Sequence, residues 1–170
     1  MSEIIQKKIM AAVDDRFDQE VNFLAELTSH PSLRGKEQSA QNLIESALVS
    51  RGYEVDKWQV NVEDIKNLPG FSPVLGSYED ALNVVGIHKS KTQKGKSLIL
   101  NGHIDVVPEG PLDMWERNPY DAYVKDGWMY GRGAGDMKAG LVANLFALDA
   151  LNSAGYQPAA DVFFQSVCEE

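Results

Sequence analysis

Residues 98–105 read Leu-Ile-Leu-Asn-Gly-His-Ile-Asp, an apolar run that turns polar at its end. Such a run predicts a buried strand. Period-two geometry then sets His103 and Asp105 on one face, where a metal can bind one imidazole nitrogen while the carboxylate fixes the tautomer through the other. Taken alone, a His-x-Asp pair at a strand end is more often structural than catalytic, so its meaning depends on the surrounding chain.

Upstream, Ile5, Ile9, Val13, Phe17, Val21 and Leu24 recur at helical spacing, which predicts an amphipathic helix over 4–27 with room for one break. A second helix is predicted over 36–50, with Ala40, Leu43, Ile44, Ala47 and Leu48 on one face and Arg51-Gly52 as its stop. Short β-type runs follow at 53–60, 82–87, 97–101, 122–125 and 128–130, the last two joined by an Asp126-Gly127 turn. The Pro- and Gly-punctuated stretch Leu-Pro-Gly-Phe-Ser-Pro-Val-Leu-Gly-Ser-Tyr-Glu-Asp over 68–80 reads as a loop without a recognisable motif. A third helix is predicted over 138–152, carrying Leu141, Leu145, Leu148 and Leu151, and a buried strand over 161–168. Helices flanking a mixed sheet give an α/β fold, a three-layer sandwich that places sites at strand ends, with all of 1–170 in one unit.

Two further constellations carry chemistry. Tyr-Gly-Arg-Gly-Ala-Gly-Asp-Met-Lys-Ala-Gly over 130–140 runs from a strand into the third helix, with Asp136 just before the helix N-terminus. The exposed N–H groups there favour an ionised carboxylate, as a metal-bridging aspartate requires, and an N-capping role for Asp136 fits equally well. A phosphate loop fails for want of Gly-Lys-Ser/Thr, and a dinucleotide-binding turn fails because Asp136 stands at the third glycine position. Glu169-Glu170 ends the strand of Val162, Phe163, Phe164, Ser166 and Val167. One carboxylate can bind metal while its neighbour activates water, or both can simply be solvated.

Composition limits the partners. A net charge of -9, from 25 acidic against 16 basic residues, argues against nucleic acid, whose binding needs clustered Lys and Arg. Excess carboxylate instead favours a cation. Cys168 is the single cysteine, read as a small hydrophobe in a strand, and a reducing, cytoplasmic compartment is expected. No stretch reaches the roughly 18 apolar residues that would span a membrane, so no membrane is expected. His30 and His88 are read as structural, since one precedes Pro31 and the other borders a basic loop. No Gly-x-Ser-x-Gly elbow exists, which sets aside a serine hydrolase.

In order, Gly102-His103-Ile104-Asp105-Val106-Val107-Pro108, Trp115, Asn118-Pro119-Tyr120, Asp126-Gly127, Tyr130-Gly131-Arg132-Gly133, Asp136-Met137-Lys138 and Glu169-Glu170 resemble one zinc metallopeptidase family. It includes acetylornithine deacetylase, succinyl-diaminopimelate desuccinylase, aminoacylase and carboxypeptidase G. The resemblance is dense over 97–170 and looser before, though residues 27–32 followed by Lys36-Glu37 also look like the family's opening. Ala139 departs from it, standing where many relatives carry glycine.

The resemblance implies a two-zinc amidohydrolase in which Asp136 bridges both ions, His103 binds one and Glu170 the other. Cobalt is an expected substitute for zinc. Glu169 is the implied general base, taking a proton from a zinc-activated water and returning it to the leaving amine, and Asp105 is the residue behind His103. A cis peptide after Asp136 is also implied. Further ligands, a lid or dimerisation domain and the rest of the catalytic domain are not expected within 1–170, so the chain alone is expected to bind zinc weakly and hydrolyse nothing. The implied substrate is a small N-acyl amino acid, and the full protein is expected to be a homodimer. A dipeptidase or carboxypeptidase of the same family is the alternative, and a non-catalytic binding module on the same fold is another, opposed by the presence of all five site residues.

Overall fold

Ser2 starts the chain's first helix, α1 (Glu3–Asp14), by accepting the Ile5 N–H on its hydroxyl. The computed structural model describes residues 2–72, 78 and 81–168. The expected helix over 4–27 breaks once, and α2 (Phe17–Thr28) follows. The break resets the helical phase, so Phe17 leaves the predicted stripe and lies 58% exposed, while Leu27 is fully buried. Helix α3 (Gln38–Ser50) turns Ala40, Ile44, Ala47 and Leu48 inward, as its spacing predicts.

The chain then forms β1 (Glu54–Gln59), a single-turn helix α4 (Val62–Ile65), β2 (Leu82–His88), β3 (Leu98–His103), the short strands β4 (Tyr123–Lys125) and β5 (Trp128–Tyr130), helix α5 (Ala139–Ser153) and β6 (Val162–Val167). The main sheet runs β1-β2-β6-β3, antiparallel at its first two junctions and parallel between β6 and β3. It is therefore mixed, as expected. Strand β3 extends through His103, two residues beyond the expected end at 101. Among the described residues, strands β4 and β5 pair only with each other and form a separate hairpin.

One face of the sheet carries Val84, Val162 and Phe164 against α3 and α5, with Ile44, Leu48, Leu141, Leu145 and Phe146 in the same cluster. A Cβ at Gly102 would lie 2.9 Å from the Leu141 side chain, so only glycine lets α5 approach the strand that carries His103. Helices α1 and α2 pack outside α5. The sheet and one helical layer of the expected sandwich are thus present. Among the described residues no helix covers the opposite face, where Ile99 is 59% exposed. No helix is long and apolar enough to cross a membrane among the described residues.

Leu141 joins α5 to β3 and is fully buried. Leu141→Ala should lower the free energy of unfolding by about 2–5 kcal/mol, measured by urea denaturation, because it empties a fully buried site between α5 and β3.

Candidate metal centre

His103 closes β3 at 9% exposed, with its ring held on both sides. Nδ1 lies 3.2 Å from Asp105 Oδ1 and 3.1 Å from the Asp105 carbonyl. Nε2 lies 3.2 Å from Asp136 Oδ1. A neutral imidazole carries one proton, and Asp105 offers two acceptors for it at Nδ1. Nε2 then presents a lone pair to a carboxylate oxygen, an arrangement that calls for a cation between them or a second proton on the ring. The donor set fits a zinc ion, which takes imidazole nitrogen and carboxylate oxygen.

The two carboxylates differ in setting. Asp105 is buried, with Arg34 Nε 3.6 Å from Oδ2. Asp136 lines the same cavity as Asp105 with a side chain 81% exposed, so its carboxylate is open to solvent. The peptide bond Asp136–Met137 is cis, as the resemblance implied. His103, Asp105, Gly133, Gly135 and Asp136 line one cavity of 170 Å³. Among the described residues no cluster of three or more His, Cys, Asp or Glu side chains could hold a metal. Glu169 and Glu170, the expected base and second ligand, lie outside the described residues.

The segment after α2 pins the exit of β3. The Ser32 hydroxyl donates to the Ile104 carbonyl at 2.6 Å, and the Val106 N–H donates to the Ser32 carbonyl at 2.9 Å. Gly133 has φ 77° and its absent Cβ would lie 2.3 Å from Val106 Cγ1, so the loop before Asp136 can close on this segment only with glycine there. Arg132 lies over the Trp115 ring at 5.2 Å, and both donate to the Glu109 carbonyl. Tyr120 donates to the Glu109 carboxylate. The motif residues Trp115, Tyr120 and Arg132 therefore meet in one cluster beside the cavity. His30 and His88 stand apart from it: the His30 carbonyl accepts from Lys138, and His88 packs edge-on against Tyr53 at the far end of the sheet. Cys168 is a buried thiol donating to Asn83 Oδ1.

Lys138 and Glu37 are two charged groups whose positions motif reading does not explain. Lys138 is fully buried and its ammonium donates to the Leu27 and His30 carbonyls at 3.1 and 2.8 Å, at the C-terminal end of α2. Its spacing of three and seven residues from the core residues Leu141 and Leu145 is the sequence signal of that inward position. Glu37 is buried at the start of α3, accepting the Gly35 N–H. Burial pushes its carboxyl pKa up, backbone N–H groups pull it down, and the charge of Asp105 raises it further.

Residues 99–170 match the model of Peptidase family M20/M25/M40. Over 168 residues the chain is 32% identical to an N-formyl-4-amino-5-aminomethyl-2-methylpyrimidine deformylase of Halalkalibacterium halodurans, covering 96% of this chain and 35% of that protein. It is 29% identical to a succinyl-diaminopimelate desuccinylase of Polaromonas sp., covering 85% of this chain and 36% of that protein. The chain thus spans about a third of the length of these curated relatives. Among solved structures, the dipeptidase Dug1p of Saccharomyces cerevisiae superposes with a TM-score of 0.79 at 19% identity, over 99% of this chain and 35% of that one. Human carnosine dipeptidase 1 does so with 0.76 at 22% identity, over 95% and 34%. These two likenesses concern the fold.

Burial lowers the Lys138 pKa from 10.5 to about 8. Between these values the unfolded chain holds a proton that the folded chain has released, so stability rises with pH across that window and the buried charge weakens the fold below it. Urea denaturation at pH 7.5 and 9.5 should show wild type gaining stability relative to Lys138→Met as pH rises.

Proposed function

We propose that this chain, whose residues 99–170 belong to Peptidase family M20/M25/M40, is the N-terminal part of the catalytic domain of a two-zinc amidohydrolase acting on a small N-acyl substrate. The observation that carries the reading is His103 held between Asp105 and Asp136. The curated relatives support the reaction class, being named for removing a formyl or a succinyl group. A homodimeric, cytoplasmic full-length protein is part of the same proposal.

Asp136 and His103 would hold one ion, with Asp136 and Glu170 holding the other. Zinc, when bound, acidifies water and polarises an amide carbonyl. The chain's own groups do the rest. Asp105 holds the Nδ1 proton, which keeps Nε2 available as a ligand and the ring in one orientation. Glu169 accepts a proton from the attacking water and delivers it to the leaving amine. Burial of His103 and Asp105 lowers the local dielectric, so each charge acts more strongly than it would in water.

Calorimetric titration of the chain with zinc tests this reading. Wild type should bind weakly, Asp136→Ala should lose the binding, and Asp105→Asn should weaken it by about 10–100-fold. Equal zinc affinity in wild type and Asp136→Ala would remove the metal from this site.

A further inference from the structure

Residues 32–37 are laced to the exit of β3. The Ser32 hydroxyl donates to the Ile104 carbonyl, the Val106 N–H donates to the Ser32 carbonyl, and Leu33 forms a parallel bridge with Val106. The chain then turns. The Lys36 N–H donates to the Leu33 carbonyl at 2.8 Å, Gly35 takes φ 75°, and the buried Glu37 carboxylate accepts the Gly35 N–H at 2.9 Å. A positive φ favours glycine at that position. Arg34 stands at the head of this turn, so backbone geometry brings it beside Asp105.

Arg34 Nε lies 3.6 Å from Asp105 Oδ2, while Asp105 Oδ1 lies 3.2 Å from His103 Nδ1. One carboxylate thus faces a cation with one oxygen and the ring of the candidate ligand with the other. The Asp105 side chain is 5% exposed and that of Arg34 is 57% exposed, so the cation approaches a buried anion from the solvent side. A second buried carboxylate stands near. Burial first, and then the charge of Asp105, raise the Glu37 carboxyl pKa, so the two acids feel each other across the turn. A carboxylate behind a metal-binding imidazole makes the ring a stronger donor by drawing on its Nδ1 proton. A cation on the far oxygen of that carboxylate works against the pull, because opposite charges a few ångströms apart offset one another. Arg34 and His103 therefore compete for the charge of Asp105.

We propose that Arg34 is a positioning residue that acts through Asp105 to weaken His103 as a metal ligand. It exchanges affinity for reactivity, since a ring that gives less charge to an ion leaves the ion more with which to polarise a carbonyl. The inference rests on the hydrolase reading above, for the cation that His103 and Asp136 would hold. It gives a purpose to a residue that lies outside every motif in the chain.

The test is calorimetric zinc titration of wild type, Arg34→Gln, Arg34→Lys, Asp105→Asn and the double variant Arg34→Gln/Asp105→Asn, with the His103 ring ¹⁵N resonances recorded on zinc-free samples at fixed pH. Arg34→Gln should tighten zinc binding by about fivefold, and Arg34→Lys, which keeps the charge, should stay within about twofold of wild type. In the Asp105→Asn background Arg34→Gln should change the affinity by less than about twofold, because water screens an arginine this exposed once no carboxylate relays its charge. An arginine that only braces the turn would instead weaken binding when removed, and would do so in both backgrounds. Without zinc, Arg34→Gln should move the His103 ring resonances toward the form protonated on Nδ1, and Arg34→Lys should leave them in place. Weaker or unchanged zinc binding in Arg34→Gln, an equal effect in both backgrounds, or unmoved ring resonances would each overturn the proposal. Zinc bound as tightly by Asp136→Ala as by wild type would overturn the hydrolase reading instead, and the zinc-free resonances would still decide whether Arg34 acts on His103 through Asp105.

Discussion

An imidazole placed between two carboxylates needs positive charge somewhere along the line, and the candidate centre is built around that need. Asp105 takes the Nδ1 side of His103, and Asp136 faces the Nε2 side at 3.2 Å. The inner carboxylate is buried and the outer one is exposed, so the line has a closed end and an open end. Asp136 is the carboxylate a cation from solvent would meet first, and Asp105 would keep the ring in place while His103 and Asp136 held it.

Holding that line requires three separated segments to meet within a few ångströms. The strand delivers His103, the residues after α2 brace its exit through Ser32, and the glycine-rich loop that carries Asp136 closes on Val106 at Gly133. Lys138 ties the loop to the end of α2 by two hydrogen bonds from a fully buried ammonium. A buried charge is costly, and it is tolerated here because the carbonyls it meets sit at the negative end of a helix. The N-terminal helices, which carry none of the ligand motifs, thereby become part of what positions the ligands.

With the β2–β6 register continued by one residue, the sheet row that ends at His103 begins at Trp58, so the edge strand β1 and the candidate metal centre share one geometric frame. Sites at the ends of strands gain from this arrangement, since neighbouring strands carry their side chains to fixed distances. The helical layer on the other face makes the frame rigid through Leu48, Leu141 and Phe164.

Much of this was legible in the residues themselves. The apolar run ending in His103 and Asp105, the glycines before Asp136 and the leucine stripe of α5 each reflect local geometry, which a sequence encodes directly. The predicted mixed sheet with flanking helices followed from them, as did the family that residues 99–170 match. Local pattern could not separate a metal-bridging Asp136 from an N-cap, because both need an ionised carboxylate at a helix start. The Asp126-Gly127 hairpin formed as read, but local pattern missed its separation from the main sheet, the phase change that exposes Phe17 and the purpose of Lys138. Those depend on which distant segments touch: the sequence determines period, propensity and the chemistry on offer, while only the tertiary structure decides which charges end up sharing a few ångströms of space.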